Sequence, residues 1–145
     1  MAYPVTVVLH QASQSLQITF DDGADFALPA EFLRVHSPSA EVQGHGPGQE
    51  TLQVGKAAVR ITGLTPVGNY AIQPTFSDGH SSGIFTWNFL HFLGTNQSKL
   101  WLVYLNKLVA AGAVRGQEDT SNNVAPNNVA PNNAMSSTAI SRTKA

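Results

Sequence analysis

The chain has 145 residues and no cysteine, with eight Lys and Arg against nine Asp and Glu and a formal net charge of -1. This length fits one domain. The missing cysteines exclude disulfide bonds, all-cysteine zinc sites and thiolate-held iron–sulfur clusters. The near-neutral charge excludes the basic footprint by which proteins bind nucleic acid or an acidic membrane surface.

The first half of the chain is predicted to form strands followed by a short helix. Residues 5–9 and 16–20 have the pattern of strands, and Asp22-Gly23 is typical of a hairpin turn because glycine readily adopts a positive φ. A second extended stretch follows, and residues 29–34 are predicted to be the start of a short helix. Residues 37–49 contain two prolines and three glycines and are predicted to be a loop.

The second half repeats this pattern. Residues 72–79 (IQPTFSDG) are identical to residues 16–23 (LQITFDDG) at five positions, which predicts a second unit of strand, Asp-Gly turn, strand and helix. Pro74 lies inside the predicted strand and indicates an edge strand or a bulge, since proline lacks the amide donor. Another strand is expected at 57–62, followed by a turn at 65–68.

The longest predicted helix covers residues 98–111, with Asn96 or Thr95 as its N-cap and Gly112 at its end. It is too apolar for burial of one face alone, so it is either well embedded in the fold or provides a surface for self-association or for a partner. The candidate interface residues are Trp101, Leu102, Val103 and Leu105. The predicted fold class is α+β: a small antiparallel sheet built from two quasi-repeated β-hairpins, short helices and one longer C-terminal helix.

Composition changes abruptly after about Arg115. Residues 116–145 have no aromatic side chain and contain a five-residue NNVAP repeat. Such a polar, proline-punctuated segment cannot offset an ordering cost of about 1–2 kcal/mol per residue. We therefore predict one domain over residues 1–115 and a disordered Asn/Ala/Pro-rich tail over 116–145. With no basic segment before its first apolar run and no long apolar window, the chain is expected to be cytoplasmic.

No complete catalytic set is visible in the sequence. Residues 79–83 (GHSSG) match the G-x-S-x-G nucleophile motif, but that motif requires a strand–turn–helix, whereas a hairpin is predicted here. No histidine precedes an acid by two residues, the spacing usual in non-haem iron sites. A metal site would have to be assembled from distant residues: His36, His45 and His80 with Asp78 or Glu41.

Three segments carry a family resemblance. They are residues 28–42 (LPAEFLRVHSPSAEV), 68–70 (GNY) and 76–87 (FSDGHSSGIFTW). Together they resemble the DUF971 family, a small bacterial domain similar to the N-terminal domain of γ-butyrobetaine hydroxylase. The resemblance covers nearly all of residues 5–115.

The resemblance implies a non-catalytic domain with a structural zinc held by three cysteines and one histidine. His80 matches that histidine by its place after the Asp-Gly turn, and the cysteines fall where this chain reads His36-Ser37-Pro38-Ser39. Zinc or iron binding through His80 and His36 therefore stays an open prediction. Related domains fused to Mrp-type iron–sulfur carrier ATPases imply a role in metallocluster metabolism.

The function expected from these observations is that of a non-enzymatic accessory module that binds a protein partner or a metal centre. Two alternatives stay open. One is a small metal-dependent enzyme, or a detached subunit of a 2-oxoglutarate oxygenase system. The other is a structural homo-oligomer built on the last helix.

Overall fold

A computed structural model describes residues 2–44 and 49–116 of the chain. The candidate ligand His45 lies outside the described residues. So does all but the first residue of the predicted 116–145 tail.

The N-terminal part of the fold is a three-stranded antiparallel sheet followed by two short helices. Its strands lie in the order β1-β2-β3, so β1 and β3 are the edges. The elements are β1 (Pro4–His10), β2 (Ser15–Phe20), β3 (Asp25–Pro29), α1 (Ala30–Val35) and α2 (Ala40–Gln43).

The C-terminal part repeats this arrangement with a second three-stranded antiparallel sheet, ordered β4-β5-β6. The elements are β4 (Ile61–Val67), β5 (Ala71–Phe76), β6 (Phe85–Thr86), α3 (Trp87–Thr95) and α4 (Gln97–Ala110). The predicted α+β class and the two quasi-repeated hairpins are confirmed. The single predicted sheet is instead two sheets.

The two Asp-Gly turns have the same backbone geometry. In each, the amide of the phenylalanine that ends the strand donates to the carbonyl four residues on, at 2.8 Å from Phe20 and 2.9 Å from Phe76. Gly23 has a φ of 90° and Gly79 a φ of 91°, values that only glycine adopts cheaply. The sequence repeat is therefore a repeat of a backbone conformation.

The prediction of a strand at 57–62 with a turn at 65–68 was wrong. The strand β4 runs from Ile61 through Pro66, which lies opposite Ile72 of β5. β4 is an edge strand, a position where proline is tolerated, so the proline did not force a turn.

Pro74 lies on β5, between β4 and β6, where a proline is unexpected. It is opposite Leu64 of β4, but the two-residue β6 pairs only with Ala71 and Ile72. At Pro74, β5 is therefore an edge on the β6 side. The predicted edge position is correct for this part of the strand.

Two helices differ from the sequence prediction in detail. The short α2 lies inside the predicted 37–49 loop, and its Val42 is buried. Asn96 precedes α4, but its side chain donates to the carbonyl of Phe92 at 2.9 Å and does not cap α4. Gly112, with a φ of 66°, follows the end of α4 as predicted.

The main core lies between the two sheets and α1 and α3. Its large, fully buried members include Leu16, Ile18 and Phe20, which alternate along β2, together with Leu28, Phe32, Leu33, Ile61, Phe76, Phe85, Leu90 and Leu93. A smaller cluster of Val35, Tyr104 and Leu108 packs α4 against α1. No helix within residues 2–44 and 49–116 is long and apolar enough to cross a bilayer.

Candidate functional site

The second Asp-Gly turn places His80 inside the molecule. The His80 amide donates to Asp78 Oδ1 at 3.2 Å, and its carbonyl accepts from Phe76. The turn thus fixes both backbone groups of His80, and the side chain is only 4% exposed. A histidine immediately after a surface turn is usually solvated, so this burial is the first unusual feature of the site.

Both ring nitrogens of His80 are engaged by side chains from the α1–α2 region. Ser37 Oγ lies 2.9 Å and Ser39 Oγ 3.3 Å from Nε2, while Glu41 Oε1 lies 3.0 Å from Nδ1. The same Glu41 oxygen accepts from the Ser82 hydroxyl at 3.0 Å. We call these five residues the His80 cluster.

The proton arrangement in the His80 cluster follows from the partners. Burial lowers the pKa of His80, the positive charge of Arg34 lowers it further, and the carboxylates of Glu41 and Asp78 oppose both effects. A neutral imidazole carries one N–H, and an ionised carboxylate can only accept. Nδ1 therefore donates to Glu41, and the Nε2 lone pair accepts from the Ser37 hydroxyl.

An ion-pair network adjoins the cluster. Asp78 Oδ2 accepts from Arg34 Nε at 2.9 Å and from Lys56 Nζ at 2.6 Å. Burial raises the pKa of Asp78, but the hydrogen bonds from Lys56 and the His80 amide and the charge of Arg34 outweigh it, so the pKa is lowered. Asp78 thus joins the turn to α1 as a carboxylate.

The series Ser37, His80, Glu41 has the hydrogen-bond order of a nucleophile–base–acid triad. The Ser37 side chain, however, is completely buried. The backbone of Gly83 packs so closely against Ser37 Oγ that even a Cβ at Gly83 would clash with it. A nucleophile must reach the carbonyl it attacks, and the buried Ser37 hydroxyl is not accessible to a substrate in this structure.

His36, the second predicted metal residue, has a different environment. Its Nδ1 lies 2.9 Å from the Phe32 carbonyl, and its ring packs against Phe32 and Tyr104. Burial lowers the pKa of His36, the Phe32 carbonyl opposes this, and Lys107 adds to it. The imidazoles of His36 and His80 thus bond to different groups.

The donor groups at His80 do not fit the zinc site that the resemblance implies. Protein zinc is bound by thiolate, imidazole or carboxylate, whereas Ser37 and Ser39 offer neutral hydroxyls. Across residues 2–44 and 49–116, no group of three or more His, Asp or Glu side chains is arranged to hold a metal ion.

The four predicted interface residues divide between two sides of α4. Trp101 turns inward, with its ring 6.3 Å from that of Phe32 and with Arg115 at 5.2 Å over its face. Leu105 is half-buried. Leu102 and Val103 are exposed by 61% and 42%.

The four candidate interface residues did not include Val109, a further member of this helix that is exposed by 79%. Its position seven residues after Leu102, which places both on one helix face, was the available signal. Beside α4 lies an open cavity of about 350 Å³, whose lining includes His36, Leu52, Val103, Tyr104 and Lys107.

Comparison with known proteins assigns the family. The family model described as gamma-butyrobetaine hydroxylase-like, N-terminal matches residues 7–91. The chain belongs to this family. The matched residues of the gamma-butyrobetaine hydroxylase-like N-terminal family contain the whole His80 cluster, whereas α4 lies beyond them.

Solved structures of similar proteins agree with this assignment. Two NMR solution structures are 45% and 42% identical to the chain, with TM-scores of 0.72 and 0.69. They cover 86% and 87% of this chain and 98% and 95% of their own. No curated protein matches the chain.

A third similar structure carries the DUF971 name. It is a 1.93 Å crystal structure of a protein of unknown function of the DUF971 family from Acidithiobacillus ferrooxidans ATCC 23270. It is 35% identical with a TM-score of 0.54, and covers 63% of this chain and 91% of its own. The predicted resemblance to DUF971 and the gamma-butyrobetaine hydroxylase-like N-terminal family is confirmed.

Proposed function

We propose that this protein is a non-enzymatic interaction module that binds an acidic amphipathic helix of a partner protein on the outer face of α4. One observation carries the proposal: α4 leaves aliphatic side chains in solvent along one side. This apolar stripe consists of the exposed Leu102 and Val109 and, between them, the half-buried Leu105.

The apolar stripe has the spacing of a helix-docking surface. Its residues follow one another by three and four positions and therefore lie on one face. Leu102 and Val109 are exposed by 61% and 79%. Full burial of such a side chain contributes about 1.5–3 kcal/mol, so covering the stripe is favourable.

Charge selects the kind of partner. The α4 sequence contains two lysines, Lys99 and Lys107, and no acidic residue, and both lysines are exposed. Lys99 lies three residues before Leu102 and therefore borders the apolar stripe, whereas Lys107 lies on the other flank of the helix. If two copies of α4 paired, their lysines would repel each other, because α4 has no acidic residue. A partner helix with glutamates beside its apolar side would instead attract the lysine. Complementary charge of this kind favours association and steers it.

Two synthetic helical peptides test this surface. They share one leucine stripe, but the first is flanked by glutamates and the second by lysines. We expect the glutamate peptide alone to shift the NMR signals of α4, with an affinity that falls as salt is added. Equal binding of both peptides, or of neither, would contradict the proposal.

Three variants locate the binding. Leu102→Glu places a charge in the apolar stripe and should weaken binding at least about tenfold. Val5→Glu is the matched control, because Val5 is exposed by 67% on β1, and it should bind as the wild type does. Lys99→Glu, which reverses the charge bordering the stripe, should remove the preference for the glutamate peptide.

Self-association is the competing use of the same face. Light scattering of the wild-type protein at increasing concentration measures it directly. A dimer that Leu102→Glu dissociates would assign the apolar stripe to a second copy and overturn the acidic partner. We place the module in the cytoplasm, and the resemblance to domains fused to iron–sulfur carrier ATPases favours a partner from metallocluster metabolism.

A further inference from the structure

We infer that the His80 cluster is a metal-independent clasp, in which hydrogen bonds hold together the two connections that the family resemblance assigns to a zinc ion. The clasp joins the α1–α2 connection, which carries Ser37 and Ser39, to the β5–β6 connection, which carries His80 and Ser82. This inference does not depend on the proposed binding face of α4.

A metal ion bound to His80 would need a lone pair of its imidazole. A neutral imidazole has one basic nitrogen, and here it is Nε2, because Glu41 fixes the proton on Nδ1. Ser37 Oγ lies at 2.9 Å and Ser39 Oγ at 3.3 Å from that nitrogen. A metal on Nε2 would have to displace both hydroxyls from a buried position.

A metal ion at His80 Nε2 would also need further ligands from the neighbouring side chains. The Glu41 carboxylate contacts Nδ1, on the other edge of the ring from Nε2, so it cannot complete a site at Nε2. Asp78 accepts from the His80 amide through Oδ1 and from Arg34 and Lys56 through Oδ2. The groups facing Nε2 are therefore two neutral hydroxyls, which are not zinc ligands in proteins.

The clasp is already closely packed. Ser37 is completely buried and Ser39 is 7% exposed. The Ser39 amide donates to Ser37 Oγ at 3.4 Å, and Gly83 lies against the same oxygen. The cluster thus gives each buried polar atom of His80 a partner, which is what a buried polar group requires for stability.

The first experiment compares thermal unfolding of the untagged full-length protein with and without a chelator. We expect the same midpoint in both, and no metal at stoichiometric level in the purified protein by elemental analysis. Ser37→Ala should lower the midpoint by about 5 °C. Ser81→Ala, an exposed serine of the same connection, is the matched control and should leave the midpoint unchanged.

The second experiment converts the clasp into a metal site. Ser37→Cys combined with Ser39→Cys puts two thiols beside His80 Nε2, and thiolates are strong zinc ligands. With Co²⁺ this variant should gain thiolate-to-cobalt absorption bands, and a chelator should then lower its midpoint. The wild-type protein should show no such bands.

The inference is overturned if the wild-type protein carries stoichiometric zinc and its midpoint falls when a chelator is added. It is equally overturned if Ser37→Ala has no effect on the midpoint, because the hydroxyl would then hold nothing together. If the double-cysteine variant fails to fold, the ¹⁵N chemical shifts of the wild-type His80 imidazole still test whether the clasp is metal-independent. They should show a neutral ring protonated on Nδ1, and added zinc should leave them unchanged.

Discussion

At the scale of the residue, the buried polar side chains are the ones that specify how this fold closes. Tyr104 lies in the otherwise aliphatic cluster of α4, and its hydroxyl donates to the Gln53 carbonyl at 2.7 Å. Burial raises the pKa of Tyr104 to about 12, the negative charge of Glu31 adds to this, and Arg115 opposes it. The hydroxyl thus anchors residues 50–53, which have no regular secondary structure, to α4.

Tyr104→Phe tests this anchor. At neutral pH the lost hydrogen bond should reduce the free energy of unfolding by about 1 kcal/mol. The reference pKa is 10.0 and the folded value about 12, so the unfolded chain loses this proton first. The contribution is therefore fully present below pH 10 and is lost as the pH rises toward 12.

Urea unfolding across this alkaline range measures the effect. The wild-type protein should lose stability more steeply than Tyr104→Phe, and the tyrosinate absorbance step near pH 12 should vanish in the variant. Tyr70→Phe, at a tyrosine that is 52% exposed, is the control. Parallel pH curves for wild type and Tyr104→Phe would show that the hydroxyl is not the anchor.

At the scale of the element, the repeat of hairpin and helix depends on close contacts that the repeat itself does not encode. The helix α3 lies against β3, and Gly94 is where they meet. A Cβ at Gly94 would clash with the Phe26 ring. The glycine thus serves packing between the two halves.

Gly94→Ala should therefore destabilise the protein although alanine favours helices. The clash should cost about 1–3 kcal/mol, against a gain of at most about 1 kcal/mol in helix propensity. Gly63→Ala is the matched control, since a Cβ there would lie 3.9 Å from Thr75 Cβ, an ordinary contact. Chemical denaturation of both variants measures the difference, and a stabilised Gly94→Ala would refute the packing role.

At the scale of the whole molecule, the C-terminal end of the described chain closes the fold. The amides of Gly55 and Ala57 donate to the carbonyls of Val114 and Arg115, both at 3.0 Å. The Arg115 guanidinium binds the buried Glu31 carboxylate through two hydrogen bonds of 2.9 and 2.7 Å. Contacts of the folded part therefore extend to the last residues before the predicted tail.

Arg115→Met should leave the Glu31 carboxylate without its partner. Charge-assisted hydrogen bonds contribute about 1.5–3 kcal/mol, and the 47% exposure of the Arg115 side chain reduces this, so we expect a loss of about 1–2 kcal/mol. Lys99→Met, an exposed lysine of α4, is the control and should change stability by less than about 0.5 kcal/mol. Equal losses of stability in the two variants would show that the ion pair between Arg115 and Glu31 does not stabilise the fold.

The sequence by itself determined the local conformations of this protein. The Asp-Gly turns, the strands around them and the long last helix depend on residues that are neighbours in the chain, so their patterns are readable without a structure. The β4 strand was misplaced because its extent depends on pairing with β5, where Pro66 is tolerated at the sheet edge.

Only the tertiary structure decided which groups His80 contacts. Its partners, Ser37, Ser39 and Glu41, lie about forty residues earlier in the chain, and no local pattern encodes that contact. It likewise decided that Trp101 faces the core while Leu102 faces solvent, since a helix apolar on several sides has no single inward direction. Burial and long-range pairing are properties of the assembled chain, and here they place hydroxyl and carboxylate groups around His80 and so support the proposed clasp.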